Sequence, residues 1–123
     1  MSADWKELTR EAGFHLEAGL IRVPCGRDRF HKVNVDDSNV EAIRLWSMVV
    51  TSGNAPANAT LQAWKMNRFR ELIGFKAAER GRIIGECWIP KGRITADEWR
   101  TYVFTLARSC DQLEYLWTGK DVE

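Results

Sequence analysis

The spacing of apolar positions changes along the chain, and each change marks an element. Asp4 and Glu7 have the D-x-x-E spacing of a capping box, which starts a helix near Trp5. Trp5, Leu8 and Ala12 form its apolar stripe, and Gly13 stops it, because Phe14 would fall on the opposite face. "LIRVP" and "RFHKVNV" read as a hairpin around "CGRD". Pro24 has no amide hydrogen to donate, so the first of these strands is predicted to be an edge or to end there. "DDSN" at 36–39 is a turn cluster. In "VEAIRLWSMVV", Ile43, Leu45, Ser47 and Val49 alternate with Ala42, Arg44, Trp46 and Met48. Both sets are largely apolar, which predicts a central strand covered on each side.

"TSGNAPAN" is a loop, and Asn58 or Thr60 caps a helix running to about Ile73, where Gly74 ends it. "FKAAERGRIIGECWIP" reads as a second hairpin turning near Glu79, Arg80 and Gly81. Thr95 and Glu98 form the T-x-x-E capping box of a last helix that Gly119 closes. The order α-β-β-β-α-β-β-α predicts an α+β fold: an antiparallel sheet of about five strands with three helices, in one domain over 1–123.

At about 100° per residue, Trp99, Val103, Leu106, Cys110, Leu113 and Trp117 form one stripe of the last helix. That makes it a core staple, with Cys110 an inert, apolar-packed thiol. Its outer face is predicted to carry Asp97, Phe104, Arg108, Asp111 and Tyr115, of which Phe104, Arg108 and Tyr115 are candidate partner contacts. The middle helix is different. Leu61, Trp64 and Leu72 lie on one side, and Met66, Phe69 and Ile73 lie more than a quarter-turn away. This arc is wider than one core needs, and an isologous homodimer would cover it. Trp64, Met66, Phe69 and Ile73 are the candidate dimer contacts.

Composition narrows the function. Apolar content of 45% and charged content of 28% over 123 residues are ordinary for a globular domain. A net charge of +1 argues against a broad nucleic-acid footprint. One local exception is the hairpin carrying Arg22, Arg27, Arg29, His31 and Lys32, which could grip phosphates or an acidic partner, or be a solvated edge. No apolar run approaches the roughly 18 residues that span a membrane, and the N-terminal stretch lacks a signal-peptide layout. Three widely spaced cysteines fit reduced thiols in the cytoplasm. Six tryptophans predict an aromatic-rich core, with one or two at an interface.

Catalytic patterns are lacking. His15 and His31 sit in no H-x-x-H context, so no metal site is expected. There is no phosphate-binding glycine motif and no G-x-S-x-G elbow, and Asp36 and Asp37 are better explained as a turn pair than as an acid–base pair. No enzyme activity and no cofactor are expected.

Several stretches together resemble the YbjN-like and type III secretion chaperone-like superfamily. They are "GFHLEAGLIRVP", "RFHKVNV" before "IRLWSMV", "WKMNRFREL" before "GFKAAERGRI", and "WIPKGRITADEWRTYVFTLARSCDQLEYL". The resemblance covers roughly residues 4–119. It implies a bacterial, cytoplasmic, non-enzymatic protein-binding domain, often dimeric through the middle helix, that holds a partner's extended segment on exposed apolar patches. The secretion chaperones tend to be acidic, and this chain is near neutral, with a pI of about 7.7. The alternatives are nucleic-acid binding through the 22–32 hairpin and an immunity-type inhibitor.

Overall fold

The structure, a computed structural model, describes residues 4–26, 28–50, 57, 59, 73–92 and 94–118, the side chain of Arg80 excepted. Its elements are α1 (Trp5–Glu11), β1 (His15–Glu17), β2 (Leu20–Gly26), β3 (Arg29–Asp36), β4 (Ala42–Val50), β5 (Gly74–Ala77), a short 3-10 turn (Glu79–Gly81), β6 (Ile83–Pro90) and α2 (Ala96–Thr118). The six strands form one antiparallel sheet in the order β1-β2-β3-β4-β6-β5. The fold is α+β, with six strands where about five are expected. Two α-helices lie among the described residues. The helix predicted over 58–73 lies outside them, except for Ala59 and Ile73.

The additional strand is β1, which pairs with β2 through His15–Arg22, Leu16–Ile21 and Glu17–Leu20. Its two-residue turn places Ala18 at φ 53° and Gly19 at φ 80°. Two successive positive φ angles are what a tight hairpin needs, but alanine is a poor signal for one. Pro24 is therefore not on an edge strand. It pairs with Phe30 on the β3 side, past the end of the β1 ladder, and a register shift follows between Pro24 and Gly26. The missing amide hydrogen thus interrupts no bond to β1.

The helix ends behave as capping chemistry requires. The Thr95 amide donates to Glu98 Oε1 and the Glu98 amide to Thr95 Oγ1, both at 3.1 Å. At α1, Asp4 accepts from the Lys6 amide at 3.0 Å, whereas Glu7 turns away to Arg10. Gly13, at φ 87°, releases the chain from α1 toward β1.

The core lies between the two helices and one face of the sheet. Ile21, Val23, Val33, Ile43, Leu45, Val49, Phe75, Ile83, Cys87 and Ile89 face it from the strands. Trp99, Val103, Leu106, Cys110 and Leu113 face it from α2, each no more than 1% exposed. At about 1.5–3 kcal/mol per buried aliphatic side chain, docking α2 is worth on the order of 10 kcal/mol before the ordering entropy is subtracted. Trp99 Nε1 donates to Thr9 Oγ1 at 2.9 Å, which ties α1 to α2.

Packing is tightest where α2 crosses β6. A Cβ on Gly85 would sit 2.4 Å from Cys110 Sγ and 3.1 Å from Leu106 Cδ1. Burial pushes the Cys110 thiol far above its ordinary pKa, and pushes Cys87 up to about 11. Both are packing groups at neutral pH. Gly85→Ala is expected to lower stability in urea unfolding by about 1–3 kcal/mol through overpacking. Adding Cys110→Ala should restore part of that loss, and purely additive losses would contradict the contact.

Candidate functional site

The strand positions that do not face α2 build the opposite face of the sheet. Ladder pairs align Gly74, Glu86, Trp46 and Asn34 in one row across β5, β6, β4 and β3. Neighbouring rows align Trp88 with Arg44 and Met48 with Ile84. Arg44, Trp46 and Met48 are half-buried, so this face of β4 is less covered than its apolar pattern predicts. Trp88 is 50% exposed, a large apolar area left in water on a central part of the sheet. Beside it, Arg44, Trp46, Lys76, Arg82 and Ile84 line a depression of about 480 Å³ that opens along β5.

This face also holds charge. Glu86, partly buried on β6, accepts from Arg44 Nε and lies 3.1 Å from Lys76 Nζ. Burial alone would raise its pKa. The hydrogen bonds from Arg44 and Lys76 outweigh that and hold the carboxyl below its ordinary value. The Arg44 guanidinium in turn lies 5.8 Å from the Trp46 ring centroid. Aromatic faces, paired cations and an adjacent sheet edge suit an extended polypeptide better than a compact metabolite.

The predicted contacts on α2 lie elsewhere. Phe104 is half-buried, with the Arg108 guanidinium 5.9 Å from its ring, and Tyr115 is 48% exposed. Eleven residues of helix put Phe104 and Tyr115 on one face but roughly 16 Å apart.

Asp111 is not on the outer face. It is 1% exposed, because β2 and β3 flank the helix and contact it. Arg29 Nη2 lies 3.1 Å from Asp111 Oδ2, and the same guanidinium lies 4.6 Å from the Tyr115 ring. His31, expected on a basic hairpin, is fully buried beside Asp111. Its Nε2 donates to the Met48 carbonyl at 2.7 Å. Glu114 is also buried, and His31, Asp111 and Glu114 are the described residues whose grouping could hold a metal ion. The D-x-x-E spacing of Asp111 and Glu114 was the available sequence signal, obscured because it lies off the apolar stripe.

The basic hairpin therefore does not present a continuous cationic strip. Arg22 lies 3.6 Å from Glu17 and stacks 3.7 Å from the Phe30 ring centroid, Arg29 turns to Asp111, and Lys32 is exposed. Arg27 lies outside the described residues. Of the predicted dimer contacts, Trp64, Met66 and Phe69 also lie outside them. Ile73 is 3% exposed and belongs to the protomer's own core, so its side chain is not a surface contact.

No family model matches the chain, and no curated protein matches it. Among solved structures, it is similar to a chain of the heterodimeric complex ExoU-SpcU from the type III secretion system of Pseudomonas aeruginosa. The match has a TM-score of 0.60 and 14% identity, and covers 93% of this chain and 98% of that one. At this identity the likeness is one of fold. No helix among the described residues is long and apolar enough to cross a membrane.

Glu86 generates a pH prediction. A carboxyl whose folded pKa is depressed stabilises fully above its ordinary value of 4.5, and that stabilisation is lost as the pH falls through the lower folded value. Glu86→Gln should therefore cost about 1 kcal/mol at pH 7 in urea unfolding. The difference from wild type should shrink steadily below pH 4.5. A difference independent of pH would mean that the cost is packing alone.

Proposed function

We propose that this protein is a non-enzymatic, chaperone-like binding domain of the bacterial cytoplasm that holds an extended segment of a partner polypeptide. The observation that carries the reading is Trp88, half exposed on the sheet face that holds the depression and paired in the ladder with Arg44, which lines it. A chain rarely leaves a tryptophan in water there unless something covers it. Among the described residues, the strand β5 on the far side of β6 has ladder partners on the β6 side only, which suits strand addition. The similarity to a chain from a heterodimeric secretion-system complex supports a protein partner. Phe104, Arg108 and Tyr115 on α2 form a second, smaller contact region in this reading.

Nucleic-acid binding is less favoured, because Arg22 and Arg29 are engaged by acidic side chains. An immunity-type inhibitor would use the same kind of surface and differs in its partner. A photo-cross-linking residue at position 88, introduced in the native host, should capture one polypeptide. Trp88→Asp should abolish a pull-down of that polypeptide by more than about tenfold while leaving thermal stability within a few degrees. Capture of nucleic acid that salt releases, or of no polypeptide, would contradict the reading.

The domain is a homodimer in this proposal, with Trp64, Met66 and Phe69 of the wide apolar arc as contacts. Light scattering after size exclusion should give 28.2 kDa, twice the chain mass of 14.1 kDa, and Phe69→Asp should give the single-chain mass. A wild-type protein with the single-chain mass would remove the dimer.

A further inference from the structure

The side chains along β6 determine what kind of polypeptide segment fits the sheet face opposite α2. Ile83, Gly85, Cys87 and Ile89 point to the core, Gly85 directly against Cys110. Ile84, Glu86 and Trp88 therefore point to the opposite face. Arg82, two residues before Ile84, continues this alternation and lines the depression together with Ile84. The row reads cation, apolar, anion, aromatic. At about 3.3 Å per residue, its two ends, Arg82 and Trp88, are roughly 20 Å apart.

The charges in this row are not equivalent. Glu86 is already shared between Arg44 and Lys76, so it is answered by two cations. Arg82 is different. Its Nε donates to the Glu79 carbonyl at 3.1 Å, which folds the guanidinium over the 3-10 turn. The turn is itself braced, with the Ala78 amide donating to the Arg82 carbonyl at 2.7 Å. Among the described residues, no carboxylate pairs with Arg82, although the exposed Glu79 lines the same depression. Arg44, Lys76 and Arg82 thus stand against Glu79 and Glu86, one positive charge in excess.

A guanidinium held through Nε keeps its two terminal nitrogens for a ligand, and their planar fork matches a carboxylate. Arg82 is half-buried, beside buried Ile84. A carboxylate seated there displaces water, so the pair counts for more than one on an open surface. One excess charge suits a single carboxylate. A polyphosphate chain needs several cations, and Glu79 and Glu86 would repel it.

We propose that the partner segment is acidic at one end and apolar at the other: an Asp or Glu side chain meets Arg82, and a large apolar side chain covers Trp88. Roughly 20 Å corresponds to about six residues of extended chain, so both side chains leave the same face of the segment. Arg82 is the residue that selects the acid. This rests on the partner-binding reading and adds the chemistry of the partner to it.

A displayed library of random twelve-residue peptides, panned against the full chain, tests the proposal. Enriched peptides should carry Asp or Glu about six residues from Trp, Phe or Leu. A synthetic peptide of the most enriched sequence should bind roughly tenfold or more weakly when its acid is replaced by Lys. Arg82→Glu should reverse that preference. The peptide exchange on the wild-type protein needs no variant to fold. Peptides that bind equally well with acid or Lys, yet lose binding in Trp88→Asp, would overturn this inference and leave the partner-binding reading standing. Enrichment of no peptide would overturn both. A labelled twelve-nucleotide single strand that binds more tightly than the peptide would assign the cations to phosphates, and would also overturn it.

Discussion

Helix α2 approaches β6 so closely at Gly85 that no side chain fits between them, and Cys110 fills the gap. That contact sets the distance at which the helix lies over the sheet. It also fixes which side chains the helix buries. Trp99, Val103, Leu106 and Leu113 reach the inner strand positions only at this spacing, and Trp99 then reaches Thr9 to bring in α1. At the point of closest approach the seam is lined by Gly85 and Cys110, whose small size lets the two elements pack closely.

Both described helices lie on one face, and the strands' outward side chains make up the other among the described residues. Nature of the exposed groups, and not their number, gives that face its character. Trp46 and Trp88 supply apolar area, and Arg44, Lys76 and Glu86 form a paired charge group between them. Glu86 pairs with both cations and so restrains their side chains over the sheet. At the far flank of α2, a line of contacts runs from the Tyr115 ring through Arg29 and Asp111 to His31 and the Met48 carbonyl. It joins helix, β3 and β4 by polar contacts alongside the hydrophobic seam.

Much of this architecture was legible in the residues. The reciprocal Thr95–Glu98 capping box, the alternation of Ile43, Leu45, Ser47 and Val49, and the stripe from Trp99 to Leu113 each follow one period and one local rule. Strand β1 was not legible, because three residues are too few to show a period and Ala18 does not announce a turn. The buried ionic group was not legible either. Periodicity assigns Asp111 to the side away from the core, and only tertiary structure places β2 and β3 over that side. His31 looked like one cation among several, although alternation with Val33 places it on the inward face. Trp88 alternates outward from Cys87 and Ile89 in the same way, but a sequence does not say whether an outward tryptophan is covered.

The central claim is that α2 and the inner sheet face form one cooperative unit around the Gly85–Cys110 contact. Native-state amide hydrogen exchange measures this most directly, because it reports the opening free energy of each segment. The account predicts that residues 103–113 of α2 share the highest opening free energy with β4 and β6, while the edge strands β1 and β5 open more easily. Exchange of α2 through an independent, low-energy opening that leaves β4 and β6 protected would contradict it.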